Sequence, residues 1–304
     1  MKVSVLMITY NHENYIIDAI EGVLNQKVDF EYELIISNDC SEDGSHSVIS
    51  KYIKENDSNH QIRYFNQTYN MGMHLNFKFA HSKARGEFIA ICEGDDFWIH
   101  EEKLQRQVDF LDKHSAYSLC YTRFNTYNEQ TKTLALDLNE KYFSNKQDFI
   151  DFDFDTFQKG WHIGNQTLVF RNIFFDYSIY SRYKNIRDVH LVTHLLNSGK
   201  GACLNFVSAN YRIHRTGIHS EITNYKGFYI GYKTHEEIYL NNKTNDFLKK
   251  RHLMSMQNFI SINIKKGFLR KALGLSLKMY YREGNVSNFM HNFFRILKKG
   301  LITS

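Results

Sequence analysis

Gly86-Glu-Phe-Ile-Ala-Ile-Cys-Glu-Gly-Asp-Asp-Phe-Trp98 is the stretch around which the rest of the chain is organised. Its apolar run at 88–92 has the length of one buried strand. Glu93, Gly94, Asp95 and Asp96 follow directly. Adjacent carboxylates repel each other and cost desolvation free energy unless a cation or several hydrogen-bond donors meet them. The pattern therefore favours a binding site at the end of a buried strand.

Two interpretations of this acidic turn are open from its residues alone. Asp and Gly are ordinary turn residues, so the stretch is also typical of a polar loop. Gly94 lets the backbone turn sharply, so that both carboxylates leave the strand end together. Hard divalent cations such as Mg²⁺ and Mn²⁺ prefer oxygen ligands, usually one or two carboxylates plus phosphate oxygens of a substrate.

The first half of the chain alternates between strands and helices. Apolar runs at 2–9, 32–37, 62–65 and 88–92 predict strands, and helical spacing follows at 13–25, 48–56, 75–84 and 104–111. Such alternation predicts an α/β fold with a mainly parallel sheet flanked by helices. Ligands of these sheets bind beyond the carboxyl ends of the strands. Asn11, Asp39 and Asp95 each follow a strand, so we expect them along one rim.

The charge is distributed unevenly along the chain. From residue 249 onward, twelve Lys and Arg stand against one acid, Glu283, so this segment carries +11; since the whole chain is +5, residues 1–248 carry −6. We expect an α/β domain over residues 1–222 and a basic, amphipathic helical appendage over 223–304. The appendage is predicted to meet an anionic membrane surface. Solvated helix faces, packing on the domain, and packing on a second subunit in a homo-oligomer are the alternatives.

The composition is that of an ordinary globular protein, with 42% hydrophobic and 23% charged residues among 304. No run approaches the roughly 18 apolar residues that span a bilayer, and we expect no signal peptide. The four cysteines are far apart, which predicts reduced thiols in a cytoplasmic protein. We expect no nucleic-acid partner.

Four segments then combine into one pattern: Val3-Ser-Val-Leu-Met-Ile-Thr-Tyr-Asn11, Glu33-Leu-Ile-Ile-Ser-Asn-Asp-Cys-Ser-Glu-Asp-Gly-Ser45, Ala84 to Trp98, and Tyr211-Arg-Ile-His214. In this order they resemble the inverting family-2 glycosyltransferases of the GT-A fold, the large bacterial group that builds surface polysaccharides. The resemblance covers roughly residues 1–220. It implies a nucleotide-diphosphate sugar as donor, a saccharide or lipid-linked saccharide as acceptor, and Mn²⁺ or Mg²⁺ as cofactor. Such an enzyme is expected in the cytoplasm, peripheral on the inner face of the plasma membrane.

The resemblance also implies roles for the donor-side residues. Thr9, Tyr10 and Asn11 match the first nucleotide-binding loop. Asp39 matches the aspartate that accepts the base N–H of a uracil-type nucleotide, which favours a UDP-sugar.

In the acidic turn, Gly94 and Asp95 match residues that bind the nucleotide-sugar donor in the family, and Asp95 matches the one on the ribose side. Asp96 matches the metal ligand, and His214 matches a histidine that approaches the metal late in the fold. A neutral imidazole suits Mn²⁺ better than Mg²⁺. Glu93 stands where many relatives carry an aspartate, so the resemblance does not decide which carboxylate oxygen binds the metal ion.

On the acceptor side, Asp188 opens a predicted helix where the family places its catalytic base. The alternative is a helix N-terminal aspartate favoured by the helix macrodipole. Arg187 precedes it where relatives often have an acid. Trp98 and Trp161 are further acceptor-side candidates, with core packing as the alternative.

Two other classes of protein are compatible with parts of the sequence. A non-catalytic GT-A-fold protein that binds a membrane-associated partner would explain the basic appendage, but it would not need the acidic pair and Asp188. A nucleotidyltransferase usually brings a glycine-rich basic loop after its first strand. The loop here begins Tyr10-Asn11-His12, which argues against that class.

Overall fold

The computed structural model describes residues 1–56, 61–137, 139–143, 147–158, 164–184, 186–215 and 224–303. The chain divides into two compact units. The first comprises Met1–Arg182 and Leu191–Arg215, and the second comprises Tyr183–His190 and Thr216–Ser304. The boundary predicted between 222 and 223 lies outside the described residues. Grouping of 183–190 with the C-terminal helices was not predicted.

The first unit is built on a sheet with ten strands among the described residues, in the order β3-β2-β1-β4-β9-β6-β10-β5, with β7 beside β6 and β8 beside β10. The strands are β1 (Val3–Thr9), β2 (Tyr32–Asn38), β3 (Ile62–Asn66), β4 (Phe88–Ile91), β5 (Phe97–Trp98), β6 (Tyr117–Asn128), β7 (Thr133–Ala135), β8 (Phe149–Phe152), β9 (Val169–Arg171) and β10 (Lys200–Ile213).

The predicted fold class is confirmed, with one refinement in strand direction. Strands β1 to β4 run parallel, as do β6 and β10. The short strands β5, β7, β8 and β9 run antiparallel to their neighbours. β1 and β2 are buried along almost their whole length because both faces of the sheet are covered, and this burial produces their nearly continuous apolar runs.

Helices cover the sheet of the first unit. Residues Ile16, Ala19, Ile20 and Val23 of α1 are all buried, which is the face expected from their helical spacing. The helices up to residue 196 are α1 (Ile16–Leu24), α2 (Ser45–Asn56), α3 (Met73–Ser82), α4 (Lys103–Lys113), α5 (Phe154–Gln158), α6 (Tyr177–Tyr180) and α7 (Asp188–Leu196).

The second unit contains the predicted C-terminal helices. They are α8 (Asn224–Asn241), α9 (Asp246–Lys265), α10 (Leu269–Glu283) and α11 (Val286–Thr303). Met256 and Phe259 of α9, Met279 of α10 and Ile296 of α11 are buried together in one apolar cluster. These helices are therefore a packed unit with its own core.

A buried carboxylate ties three segments of the first unit together near the start of β2. Glu33 is 2% exposed and accepts hydrogen bonds from Ser4 Oγ at 2.7 Å, Arg63 Nη1 at 2.7 Å and Arg85 Nη2 at 2.7 Å. Burial by itself raises the pKa of Glu33, but the bonds from Arg85, Ser4 and Arg63 outweigh it and lower the pKa to about 2. The charged form of Glu33 therefore stabilises the fold.

We expect Glu33→Gln to lower the free energy of unfolding by about 3 kcal/mol at pH 7, because it leaves buried donors without their anionic partner. The folded-state pKa lies below the ordinary value of 4.5. The wild-type stabilisation is therefore complete above about pH 4.5 and is lost as pH falls toward 2. Urea unfolding at pH 7 and at pH 3 measures both effects.

Glu87→Gln is the matched control, because Glu87 forms an exposed ion pair with Lys2 at 2.9 Å. Exposed pairs contribute less than about 1 kcal/mol. Equal unfolding free energies for the two variants would contradict the role assigned to Glu33.

Candidate active site

The loops after β1, β2 and β4 meet at one edge of the sheet. Thr9 pairs with Asn38 at the ends of β1 and β2. The Asp39 N–H donates to the Thr9 carbonyl at 2.9 Å, and the Gly94 N–H donates to the Ile8 carbonyl at 3.1 Å. The rim expected from parallel strands is therefore present.

The first loop is held in a fixed conformation by the loop after β2. Asn11 has a φ of 58°, a left-handed conformation that asparagine tolerates better than most residues. Its N–H donates to Ser41 Oγ at 2.9 Å, and its Oδ1 accepts from the Glu42 N–H at 2.8 Å. Tyr10 beside it is 37% exposed. The loop thus presents one exposed aromatic ring on a well-anchored backbone.

Asp39 is a buried carboxylate held by backbone donors. Its Oδ1 accepts from the Met71 N–H at 2.8 Å, and its Oδ2 accepts from the Gly72 N–H at 2.9 Å. Each carboxylate oxygen can accept more than one hydrogen bond, so both retain capacity for a ligand donor. The side chain is 3% exposed, and its orientation is set by the turn before α3.

Gly94 is required by a close approach between the acidic turn and its neighbours. A Cβ at this position would lie 2.8 Å from Thr9 Oγ1 and 2.9 Å from Ile16 Cδ1. Contacts this short do not occur for real side chains. Gly94 therefore shapes the turn sterically, at a φ that other residues also adopt.

Asp95 faces two histidines from different parts of the chain. Its Oδ2 accepts a hydrogen bond from His214 Nε2 at 3.1 Å and lies 3.7 Å from His12 Nε2. Burial opposes ionisation of this carboxyl, but the bond from His214 and the charges of His12 and His214 outweigh it and lower the pKa of Asp95. Burial also lowers the pKa of His12. The cluster joins the loops after β1 and β4 to the end of β10.

Asp96 points into the protein instead. It is 1% exposed, and its Oδ1 accepts from the Arg212 N–H at 2.7 Å. Its Oδ2 is buried without a hydrogen-bond partner among the described residues. Burial, followed by the charges of Asp95 and Glu93, raises the pKa of Asp96 well above its ordinary value.

Arg212 fastens the acidic turn to the rest of the unit. Its Nε donates to the Asp95 carbonyl at 2.9 Å, and its guanidinium pairs with Glu129 and with Asp18. The guanidinium carbon also lies 4.6 Å from the centre of the Phe97 ring. Arg212 thereby fixes the backbone from which Asp95 projects.

A family model described as glycosyl transferase family 2 matches residues 4–184, more than half of the chain. The chain belongs to glycosyl transferase family 2. The match includes all of β1 except Val3, together with β2 to β4 and the acidic turn, whereas Arg212 and His214 lie beyond it.

Curated relatives resemble about two fifths of the chain. An uncharacterised protein of Mycobacterium tuberculosis is 39% identical over 118 residues, which cover 39% of this chain and 34% of that protein. The putative teichuronic acid biosynthesis glycosyltransferase TuaG of Bacillus subtilis is 33% identical over 113 residues, 37% of this chain and 43% of TuaG. The chain thus matches less than half of the length of either relative.

Among solved structures, Staphylococcus aureus TarS 1–349 in complex with UDP-GlcNAc has a similar fold. The TM-score is 0.59 at 16% sequence identity, and the match covers 94% of this chain and 93% of that chain. This likeness supports the GT-A fold expected for a family-2 member. No helix in the described part of the chain is long and apolar enough to cross a membrane.

The structure pairs His214 with a different carboxylate from the one expected. Asp96 and His214 were predicted to hold the metal, whereas the histidine contacts Asp95. Asp96 Oδ1 instead accepts from the Arg212 N–H of β10. No cluster of three or more His, Cys, Asp or Glu side chains arranged for a metal is found among the described residues. Two protein ligands completed by phosphate oxygens still fit the preferences of Mn²⁺ and Mg²⁺.

Trp98 is a core residue, which corrects its prediction as a sugar-stacking ring. It is 4% exposed, and its Nε1 donates to the Gln166 carbonyl at 2.7 Å. Lys103 Nζ lies 3.8 Å from the ring centre, and burial lowers the pKa of Lys103 to about 7. The ring is thus enclosed by its own unit. Trp161, the other predicted acceptor-side tryptophan, lies outside the described residues.

Asp188 is the first residue of α7 and is exposed. It belongs to the second unit, together with the C-terminal helices. The Arg187 N–H beside it donates to His190 Nδ1 at 3.0 Å, a local bond that shapes the start of α7.

Sequence reasoning missed two contributors to the rim, His12 and Arg212. His12 could have been found from its place directly after a strand, by the same rule that selected Asn11. Arg212 lies within the quoted Tyr211–His214 segment, but nothing local separates it from an ordinary strand residue. Its role arises from contacts with α1, β6 and the acidic turn.

Proposed function

We propose that this protein is a metal-dependent, inverting glycosyltransferase. It would move a sugar from a nucleotide-diphosphate sugar, with a UDP-sugar favoured, to a hydroxyl of a saccharide or lipid-linked saccharide during surface polysaccharide synthesis. The observation that carries the proposal is the meeting of Asp95 and His214 on the rim that also bears Asp39. Membership of glycosyl transferase family 2 and the teichuronic acid relative support the reaction class.

The donor side of the proposal rests on the first two loops of the rim. Asp39 is held by two backbone N–H groups in a fixed orientation, ready to accept one further hydrogen bond. The uracil N3–H is such a donor, whereas N3 of cytosine carries no hydrogen. Tyr10 and Asn11 would line the same nucleotide site. TarS has been solved with UDP and with UDP-GlcNAc, which supports uridine as the favoured base.

Asp95 and His214 are proposed to hold the metal, Mn²⁺ or Mg²⁺. Their oxygen and imidazole nitrogen lie 3.1 Å apart and come from a fixed turn and a fixed strand. A divalent ion there would neutralise charge that develops on the leaving diphosphate. Asp96 would support the turn by accepting the Arg212 N–H.

Asp188 is proposed as the general base. In an inverting transfer, one carboxylate takes the proton of the acceptor hydroxyl as its oxygen attacks the anomeric carbon opposite the leaving diphosphate. An exposed aspartate at the start of a helix is accessible to an acceptor. The protein is proposed to act on the cytoplasmic side of the plasma membrane, where a lipid-linked acceptor would be reached.

A second candidate function is a non-catalytic GT-A-fold protein that binds a membrane-associated partner. The basic C-terminal helices favour it. Both functions allow nucleotide binding, but only a transferase releases UDP from a UDP-sugar when acceptor is present. Measured UDP release across a panel of UDP- and GDP-sugars therefore separates them.

We expect UDP to raise the melting temperature of the protein more than GDP or CDP does, because cytosine has no N3–H to donate to Asp39 and guanine would have to present its N1–H from a larger ring system. Asp39→Ala should remove this preference. Asp29→Ala is the matched control, since Asp29 is an exposed aspartate in the loop before β2, at the opposite end of that strand. Equal protection by all three nucleotides in the wild type would rule out the role given to Asp39.

A further inference from the structure

Helix α11 exposes an apolar stripe along its length. The stripe consists of Val286, Met290, Phe294, Leu297 and Leu301, whose side chains are between 37% and 80% exposed. Steps of four, four, three and four residues bring all five to one face of the helix. A continuous row of exposed apolar side chains on one helix face is a candidate interaction surface.

The other face of α11 holds the helix in the second unit. Ile296 is buried in the core cluster with residues of α9 and α10. Asn292 is buried and exchanges hydrogen bonds of 2.9 Å with Gln257 of α9, and Arg295 donates to Ser261 Oγ at 3.2 Å. Packing within the unit therefore explains this face and leaves the stripe unexplained.

A basic corner lies beside the end of the stripe. A side chain at Gly300 would meet Leu269 Cδ1 at 3.4 Å, so the end of α11 approaches the start of α10. The turn before α10 exposes Phe268, which is 49% exposed. The basic corner consists of Phe268 and the exposed basic residues near these elements, which are Lys265, Lys266, Arg270, Lys271 and Lys298.

Acidic residues are absent from the sequence segments that contain the basic corner. No Asp or Glu occurs in 247–282 or in 284–304. The other basic residues of α10 are used differently, because Lys278 and Arg282 pair with buried Glu236 at 2.7 and 3.2 Å. The charge of the corner is therefore directed outward, while that of Lys278 and Arg282 is neutralised inside the unit.

An open cavity of about 630 Å³ is part of the same corner. Tyr225, Phe268, Arg270 and Lys271 contribute to its lining. Lys271 Nζ lies 3.0 Å from Tyr225 Oη and 5.0 Å from the centre of the Phe259 ring. Cationic groups beside aromatic rings at the mouth of an open hollow suit the phosphate of a lipid headgroup.

We infer that the α11 stripe and the basic corner dock this protein onto an anionic lipid bilayer, with the stripe at the headgroup boundary and the corner on lipid phosphates. Amphipathic helices with apolar and basic faces bind membranes in this way. A second copy is a poorer occupant of the stripe. Two α11 helices face to face would bring their Lys298 side chains together with no acidic residue on either helix to offset the repulsion.

This inference rests on the part of the proposed function that locates the protein at the membrane, and it does not depend on the transfer reaction. Flotation of the full-length protein with phosphatidylglycerol–phosphatidylcholine vesicles tests it. We expect binding at low salt and its loss as salt rises, because screening weakens the charge term. No binding to anionic vesicles at low salt overturns the inference.

Two variants test the assigned surface. Arg270→Ala/Lys271→Ala/Lys298→Ala should weaken partitioning by about 100-fold, at roughly fivefold for each charge removed near an anionic surface. Phe294→Ser should weaken it by about tenfold through lost apolar burial. The control, Lys51→Ala/Lys54→Ala/Lys113→Ala, removes the same charge from exposed positions of the first unit.

Equal loss in the control triple would mean that overall charge, and not this surface, drives binding, and would overturn the assignment. A dimer in sedimentation equilibrium that Phe294→Ser dissociates, without vesicle binding, would make the stripe an interface between copies. The UDP-induced rise in melting temperature, measured on every variant, should stay unchanged. If UDP does not raise the melting temperature of the wild-type protein, this result would count against the proposed function and not against docking.

Discussion

Asp95→Asn should lower the rate of sugar transfer by about 10³-fold, and excess EDTA should do the same to the wild-type protein. A divalent ion at a leaving diphosphate contributes several kcal/mol of charge stabilisation, and about 4 kcal/mol corresponds to that factor. The asparagine keeps the shape of the side chain but withdraws the anionic oxygen that lies 3.1 Å from His214. Initial rates measured against Mn²⁺ concentration should show a raised metal requirement for Asp95→Asn and for His214→Ala.

Asp96→Asn is the matched control, because it alters the neighbouring carboxylate. An asparagine Oδ1 can still accept the Arg212 N–H, so the turn should keep its conformation. We expect its metal requirement to stay close to that of the wild type. A raised requirement in Asp96→Asn but not in Asp95→Asn would restore Asp96 as the ligand, as the sequence predicted. Undiminished turnover in excess EDTA would exclude the metal role of both.

Asp188→Asn should reduce the transfer rate by about 10²-fold or more, which is the usual range for a lost general base. UDP binding should stay nearly intact. The amide keeps the size of the side chain but cannot take the acceptor proton. Transfer rates under saturating donor, together with UDP affinity from calorimetry, separate the chemical step from donor binding. A variant that transfers at nearly the wild-type rate would move the base to another acid.

Asp246→Asn provides the control for the alternative role of Asp188. Both aspartates are exposed, and each is the first residue of its helix: Asp188 begins α7 and Asp246 begins α9. A helix N-terminal aspartate contributes roughly 0.3–1 kcal/mol through the helix dipole. If the dipole were the whole role of Asp188, the two variants should lose similar stability and neither should lose transfer.

The strands of the rim were predictable because their signal is local. Strands β1 to β4 were expected at 2–9, 32–37, 62–65 and 88–92, and each observed strand differs from these by one residue at most at either end. Parallel strands that are covered on both faces need continuous apolar runs, and few other local structures do. The shared edge for Asn11, Asp39 and Asp95 followed from strand direction alone.

The end of β6 and strand β8 leave little local signal in the sequence because both depend on distant partners. β6 extends to Asn128, and β8 pairs with β10 through residues about 50 positions away in the sequence. Two-residue β5 likewise exists through its pairing with Ala209 and Asn210. That pairing, with Lys103 over the ring, encloses Trp98, and neither contact leaves a periodic signal near residue 98.

The sequence by itself determined the family, the α/β sheet, the loops that meet at its edge, and the basic, amphipathic character of the C-terminal helices. These follow from residue type and local periodicity, which any window of the chain contains. Only the tertiary structure decided which of two adjacent carboxylates faces His214, because His214 follows β10 directly and is 119 residues from Asp95 in the sequence. It also decided which apolar residues of α11 are buried and which form the exposed stripe. Neighbouring residues of one segment differ in these roles because partners far away in the chain fix the direction of each side chain.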